Sequence, residues 1–97
     1  MHKPTYPLAQ IKGLIGDGSW IIRESALDAA LEMGFDEEDI IDCVVKYLEE
    51  THFYKTMPAE KNPNLMQDVY HITYQGQRVY VKLQVNVEAV VISFKAL

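Results

Sequence analysis

From residue 78 to residue 95 the chain alternates between apolar and polar residues. Val79, Val81, Leu83 and Val85 take turns with Arg78, Tyr80, Lys82 and Gln84, and Val90, Ile92 and Phe94 take turns with Val91, Ser93 and Lys95. Successive side chains of a strand point to opposite faces, so a period of two predicts strands with one face buried and the other in water. The run Met66 to Thr73 is predicted as another strand. Tyr74-Gln75-Gly76-Gln77 carries the residues of a hairpin turn, and Asn86-Val87-Glu88-Ala89 is the next turn. Pro58 to Asn64, with two prolines and two asparagines, reads as a loop leading into the sheet.

The first half follows a different period. Leu8, Ile11, Leu14 and Ile15 fall at helical spacing, and Gly16-Asp17-Gly18 ends the pattern. Ser25 with Asp28 is a plausible cap for a helix with Leu27, Ala30 and Leu31 on one face, and Gly34 suits the left-handed position beyond it. Asp36 and Asp39 form the next cap, with Phe35 and Ile40 placed as a hydrophobic staple and the stripe Ile40, Ile41, Val44, Val45, Leu48 following. Helices first and antiparallel strands after predict an α+β domain. With 97 residues, one domain over 1–97 is expected, mainly helical over 1–50 and mainly sheet over 51–97.

Charge is divided in the same way. The net charge of −5 argues at first against a nucleic-acid partner. Residues 17–50, however, carry eleven acids against Arg23 and Lys46, a balance of −9. Residues 51–97 carry three acids against Lys55, Lys61, Arg78, Lys82 and Lys95, a balance of +2. A local field governs what a site holds. The acids Asp36 to Asp39 stand where a helix dipole favours negative charge, so helix-start stabilisation with a solvated face competes with a dedicated site for a basic partner.

Several chemistries lack their residues. There is no CxxC pair, no HExxH, no glycine-rich phosphate loop and no GxSxG elbow, and three scattered histidines with one cysteine make a metal site improbable. No apolar run approaches the ~20 residues of a membrane helix. The opening Met1-His2-Lys3-Pro4 has no hydrophobic stretch behind it, and Cys43 is the lone cysteine. No leader, no membrane and a cytoplasmic location are therefore expected.

What remains is the outward side of the strands. Tyr80, Lys82 and Lys95 lie opposite the apolar positions, Gln67 opens the preceding strand, and Lys55 stands before the proline loop. Adjacent strands bring such groups onto one surface. Lysines neutralise charge building on phosphate oxygens, and lysine or tyrosine passes protons when its pKa is suitably moved. RNA supplies its own nucleophile in the 2′-hydroxyl, so the route needs no metal or other cofactor. The competing reading is that outward lysines are solvated and the tyrosine packs across strands.

Four segments favour the first reading. Phe53-Tyr54-Lys55-Thr56-Met57, Gln67-Asp68-Val69-Tyr70, Val79-Tyr80-Val81-Lys82 and Ile92-Ser93-Phe94-Lys95 resemble, in order and spacing, the successive motifs of the MqsR toxin family. Ser25-Ala26-Leu27 and Glu32-x-Gly34 are similar more loosely. The resemblance implies a RelE-like fold, with helices packed on a twisted antiparallel sheet. It further implies the toxin of a type II toxin–antitoxin pair, an endoribonuclease that cuts single-stranded mRNA at GCU-like sites without the ribosome and so stops translation and growth. The implied partners are the mRNA substrate and a cognate MqsA-like antitoxin, which itself binds DNA in the best-known case; no direct DNA binding by the toxin is implied. The family's catalytic positions fall on Lys55, Gln67, Tyr80 and Lys95. Around them Tyr54, Met57 and Tyr70 are candidates to flank a base, or else core residues. His71 and Lys82 are candidates for RNA binding, and His52 is a weaker one for phosphate. Asp68 reads as a structural acceptor. The chain departs from the family pattern in its overall acidity, in Met66 where an aromatic residue is common, and in His71 where a basic residue is expected. Two alternatives stand beside the ribonuclease: a catalytically weak or inactive homologue that serves as an antitoxin-binding regulatory partner, and a plain RNA- or protein-binding module.

Overall fold

A computed structural model describes residues 3–97. Met1 and His2, which opened the stretch read above for a leader, lie outside the described residues. The order is α1 (Leu8–Gly16), β1 (Trp20–Ile22), α2 (Glu24–Glu32), α3 (Glu37–Asp42), β2 (Phe53–Pro58), β3 (Met66–Tyr74), β4 (Gln77–Asn86) and β5 (Glu88–Ala96). A π-helical turn over Cys43–Tyr47 and a 3-10 turn over Glu50–His52 join α3 to β2. The five strands form one sheet in the order β1-β5-β4-β3-β2. The class is α+β.

The sheet is mixed, which corrects the expectation of an antiparallel sheet confined to the second half. β1 lies parallel to β5, with Trp20 opposite Ala89 and Ile22 opposite Val91. Backbone bonds flank the pairing: the Ala89 N–H donates to the Ser19 carbonyl at 3.0 Å, and the Arg23 N–H to the Val91 carbonyl at 3.1 Å. A three-residue strand is too short to display a period, so its signal was swamped by the helical spacing on either side.

Local chemistry accounts for the helix boundaries. Asp36 Oδ1 accepts from the Asp39 N–H at 2.9 Å and Asp39 Oδ2 accepts from the Asp36 N–H at 3.0 Å, a reciprocal capping box. Gly34 sits at φ +89°, and the Phe35 N–H reaches back to the Ala30 carbonyl at 2.9 Å, closing α2 in the left-handed manner. The Ser25 cap is not used: α2 begins at Glu24, Arg23 is its N-cap, and no side chain caps it. The stripe ending at Leu48 is not one regular helix either. After Asp42 the turn widens, and the Leu48 N–H donates to the Cys43 carbonyl at 2.9 Å, five residues back. The Lys12 ammonium then donates to the Leu48 carbonyl at 2.7 Å, tying α1 to this terminus.

The helices cover one face of the sheet. Leu8, Ile11, Ile15, Ala26, Ala30, Ile40, Val44 and Leu48 share a buried cluster with Tyr70, Ile72, Val79, Val81, Leu83, Val91 and Phe94 from the strands. Phe35 packs on Tyr74 and Phe94 at ring separations of 5.2 and 6.1 Å, and each fully buried large side chain contributes about 1.5–3 kcal/mol. The acidic helices therefore stand behind the sheet, and the face that carries Tyr80 and Lys95 points away from them.

Two turns and two bulges set the register. Gln75 (φ +47°) and Gly76 (φ +79°) make the two-residue hairpin between β3 and β4. Between β4 and β5, Lys82 pairs with Ser93 but Leu83 pairs with Val91, so Ile92 is an extra residue. This overturns the simple alternation expected for that strand: Val91 and Phe94 face the core, whereas Ile92 turns to the other side. The second bulge lies in β2, where Phe53 pairs with Tyr70 and Lys55 with Val69, leaving Tyr54 unpaired between them.

Candidate functional site

The outer face of the sheet is built strand by strand. His71 on β3 pairs with Tyr80 on β4, and Tyr80 pairs with Lys95 on β5, so register alone sets the three side by side. Lys55 on β2, Val69 on β3, Lys82 on β4 and Ser93 on β5 form the neighbouring row. The bulge at Tyr54 turns two consecutive residues toward this face. The Tyr54 ring stacks on the His71 imidazole at 4.1 Å and 17° between planes, and Lys55 Nζ lies 5.8 Å from the Tyr54 ring centre.

Aromatic rings and ammonium groups then run across the sheet. His71 lies 5.8 Å from Tyr80. Lys95 Nζ is 5.0 Å and Lys82 Nζ 5.9 Å from the centre of the Tyr80 ring. A cation near the face of a ring is held by the ring quadrupole without being neutralised. The one ion pair among the described residues joins Lys46 to Asp42, so Lys55, Lys82 and Lys95 keep their charge for something else.

The titrating groups respond to this crowding. Burial pushes the Lys82 ammonium below the ordinary lysine value, and Lys95 and Lys55 push it the same way while Glu60 opposes them. His71 is lowered from 6.5 by burial and then by Arg78 and Lys55, so its imidazole is neutral at pH 7. Burial raises the Tyr80 phenol, which favours its protonated form. The face therefore offers exposed cations, a neutral imidazole and a phenol that keeps its proton.

Gln67 stands to one side of this group. It is 6% exposed, and its Nε2 donates to Gln84 Oε1 at 3.0 Å. Both amides line a cleft of about 680 Å³ bounded by the β2–β3 loop, Lys82, Ile92, Ser93 and the start of α2. Met57 lines the cleft as well. Of the residues singled out from the sequence, Tyr54, Lys55, His71, Tyr80, Lys82 and Lys95 thus share one surface, while Gln67 and Met57 sit in the adjoining cleft. Lys82 belongs to both.

Three residues take other places. Tyr70 is fully buried on the helix side of β3, packed edge-on to Phe53 at 5.7 Å, and has no face to offer a base; it is a core residue. Its hydroxyl is buried without a partner among the described residues. His52 is engaged locally, its Nδ1 accepting from the Glu49 N–H at 2.9 Å. Asp68, wholly buried, accepts from the backbone N–H groups of Thr5 at 2.9 Å and Tyr6 at 2.8 Å, as a structural acceptor should.

Sequence reasoning missed Gln84, Ile92, Ser93, Arg23 and Ser25 as cleft residues. Gln84 had a usable signal, since it continues the outward series Tyr80, Lys82. The others depend on the bulge in β5 and on β1, which carries Arg23 to the sheet edge.

Residues 3–96 match the family model described as "Motility quorum-sensing regulator, toxin of MqsA". The chain is also 33% identical over 92 residues to the mRNA interferase toxin MqsR of Escherichia coli (strain K12), an alignment covering 95% of this chain and 93% of that protein.

Proposed function

The chain belongs to the MqsR toxin family, and on that premise we propose that it is an endoribonuclease, the mRNA-cutting toxin of a toxin–antitoxin pair. The observation that carries the reading is the convergence of Lys55, Tyr80 and Lys95, from three different strands, on one unpaired cationic face, with Gln67 in the cleft beside it. We read the α+β domain as RelE-like and single over residues 1–97. The substrate is single-stranded mRNA, cut selectively at GCU-like sites, and the partner is an MqsA-like antitoxin that binds DNA where the toxin does not. The setting is the cytoplasm; no helix among the described residues is long and apolar enough to cross a membrane.

The chemistry follows from the side chains. The ribose 2′-hydroxyl gives its proton to water and attacks the adjacent phosphorus, and the bond to the 5′-oxygen breaks as that oxygen takes a proton from water, leaving a 2′,3′-cyclic phosphate and a 5′-hydroxyl. Negative charge grows on the non-bridging oxygens as the fifth bond forms, and Lys55 and Lys95 stabilise it. Tyr80, whose phenol holds its proton, acts as a hydrogen-bond donor to the phosphate or leaving oxygen rather than as a base. Gln67, its amide orientation fixed by Gln84, positions the 2′-hydroxyl or the phosphate. The Tyr54–His71 stack offers a flat platform for a base, and Lys82 and Met57 flank the path of the strand. Lysine ammoniums and a protonated phenol are poor ligands for a divalent ion, and one glutamine oxygen does not make a site, so the proposed route uses none.

Purified protein incubated with mixed-sequence RNA in EDTA tests the reading. New ends with 5′-hydroxyl and cyclic phosphate, lost in folded Lys55→Ala and Tyr80→Phe variants, are the expected outcome. Cleavage that vanishes in EDTA sinks the mechanism. Tight antitoxin binding without cleavage at any concentration would instead mark an inactive regulatory partner.

A further inference from the structure

We infer that the cleft beside Tyr80 is a nucleobase-binding subsite, in which the Gln67–Gln84 amide pair reads the hydrogen-bonding edge of a base next to the scissile phosphodiester. The inference rests on the ribonuclease reading and adds to it where sequence selectivity resides.

The two amides are the observation that carries it. Gln67 and Gln84 are 6% and 7% exposed, among the few polar side chains buried in this protein. One bond joins them, from Gln67 Nε2 to Gln84 Oε1. The second hydrogen of Gln67 Nε2 remains for the phosphate, and Gln67 Oε1 is left as an acceptor and Gln84 Nε2 as a donor. Neither has a protein partner among the described residues, and neither is sealed from solvent; the one sealed and unpartnered side-chain atom is the Tyr70 hydroxyl. Both residues line the cleft. An acceptor and a donor are thus held side by side, rigidly and at low exposure, in an open recess. Every nucleobase presents an adjacent donor and acceptor on its Watson–Crick edge, and unstacked bases of single-stranded RNA are read there.

The rest of the cleft suits a flat ring. Ile92, turned out of the core by the bulge, and Met57 and Leu65 supply apolar walls. Lys82 stands between the cleft and the Tyr80 ring, placed to hold the phosphate that links the bound base to the reacting centre. The volume of about 680 Å³ lies within the range of small-ligand sites. Arg23, Lys61 and Lys82 also line the cleft, with Glu60, and can hold phosphates on either side of the base, whereas its two buried polar side chains are neutral amides, which suit a base edge rather than a phosphate. Leaving such a pair unmatched by a wrong or missing base is costly, and that cost is what selectivity needs.

The test is an abasic scan. RNA oligonucleotides carrying a 2′-deoxy residue at the mapped cut cannot be cleaved, and a single abasic nucleotide is moved through each position while binding is followed by fluorescence anisotropy. The expected result is one position within two nucleotides of the cut where removing the base weakens binding about tenfold or more. In Gln84→Met, similar in volume but without the amide, that penalty falls below about twofold. A flat scan with the wild-type protein overturns the subsite and needs no variant to fold. So does a Gln84→Met variant that weakens every oligonucleotide alike, since Gln84 would then only support Gln67. The two proposals separate cleanly. Cleavage of unblocked RNA with a flat scan removes the subsite and keeps the ribonuclease; base-selective binding without cleavage does the reverse. RNA that neither binds nor is cut overturns both.

Discussion

Replacing Asp68 by asparagine changes one atom type and should cost this protein a large share of its stability. The carboxylate is wholly buried, and its two oxygens accept separately from the Thr5 and Tyr6 N–H groups. Nearby, the Tyr6 hydroxyl donates to the Met66 carbonyl at 2.7 Å, and the Thr5 and Thr56 hydroxyls meet at 2.8 Å. The segment before α1 is thus fastened to β2 and β3 around one anion. A hydrogen bond to a charged group contributes about 1.5–3 kcal/mol. Asparagine keeps one oxygen, so one bond is lost, the other weakens, and an NH2 group confronts a backbone donor. The neutral amide is cheaper to bury, which offsets part of the loss. The net expectation is about 2 kcal/mol, out of the roughly 5–15 kcal/mol that hold a small domain together. Urea unfolding followed by circular dichroism should show a lower midpoint at unchanged slope, and Tm should fall by about 8–16 °C. Because Thr56 adjoins Lys55, RNA cleavage well below the new Tm should fall as well. A stability change under about 0.5 kcal/mol would refute the reasoning, for the tether would then contribute no more than an ordinary surface contact.

Three further outcomes follow from the site and from the β4–β5 turn. Lys82→Met should reduce the slope of log affinity for single-stranded RNA against log salt by about 0.7, one phosphate contact. It should also raise Tm, because burial and the charges of Lys95 and Lys55 disfavour the ammonium at every pH below its own titration; a lower Tm would contradict this. His71, lowered from 6.5, stabilises the fold above pH 6.5 and loses that contribution as pH falls through its folded value. Its imidazole titration by NMR should lie below 6.5 and move upward in Arg78→Gln. Val87, 88% exposed, holds φ at +70° in the turn between β4 and β5, a backbone region unfavourable for a β-branched residue. Val87→Gly should therefore stabilise the protein by about 1 kcal/mol in chemical denaturation.

The parts legible in the sequence were those governed by local rules. The Asp36–Asp39 box, Gly34 and the Gln75-Gly76 turn each depend on a few adjacent residues, and all three appear as expected. The outward placement of Tyr80, Lys82 and Lys95 followed from parity along strands that keep their pleat up to Lys82. Parity failed where an extra residue entered: Ile92 changes face at one bulge, Lys55 joins Tyr54 on the outer face at the other, and a bulge answers to its partner strand, which the local pattern does not encode. The parallel seating of Trp20–Ile22 against Ala89–Val91 is a tertiary event for the same reason. Tyr70 shows the converse limit, for a tyrosine inside a recognised motif looked available to a base and is packed in the core. The Gln67–Gln84 pair needed both strands in register before either amide had a partner.

The placement of β5 also bears on when the proposed site can form. This strand comes last in the fold, yet it occupies the interior of the sheet, between β1, whose residues lie about 70 positions earlier in the chain, and β4. Lys95, Ser93 and Ile92 all ride on it. Pairing over such a separation forms late and slowly. On the proposed reading, a sheet that has not yet taken in β5 holds Lys55, Gln67 and Tyr80 but lacks Lys95, so the proposed site is completed only by this long-range pairing.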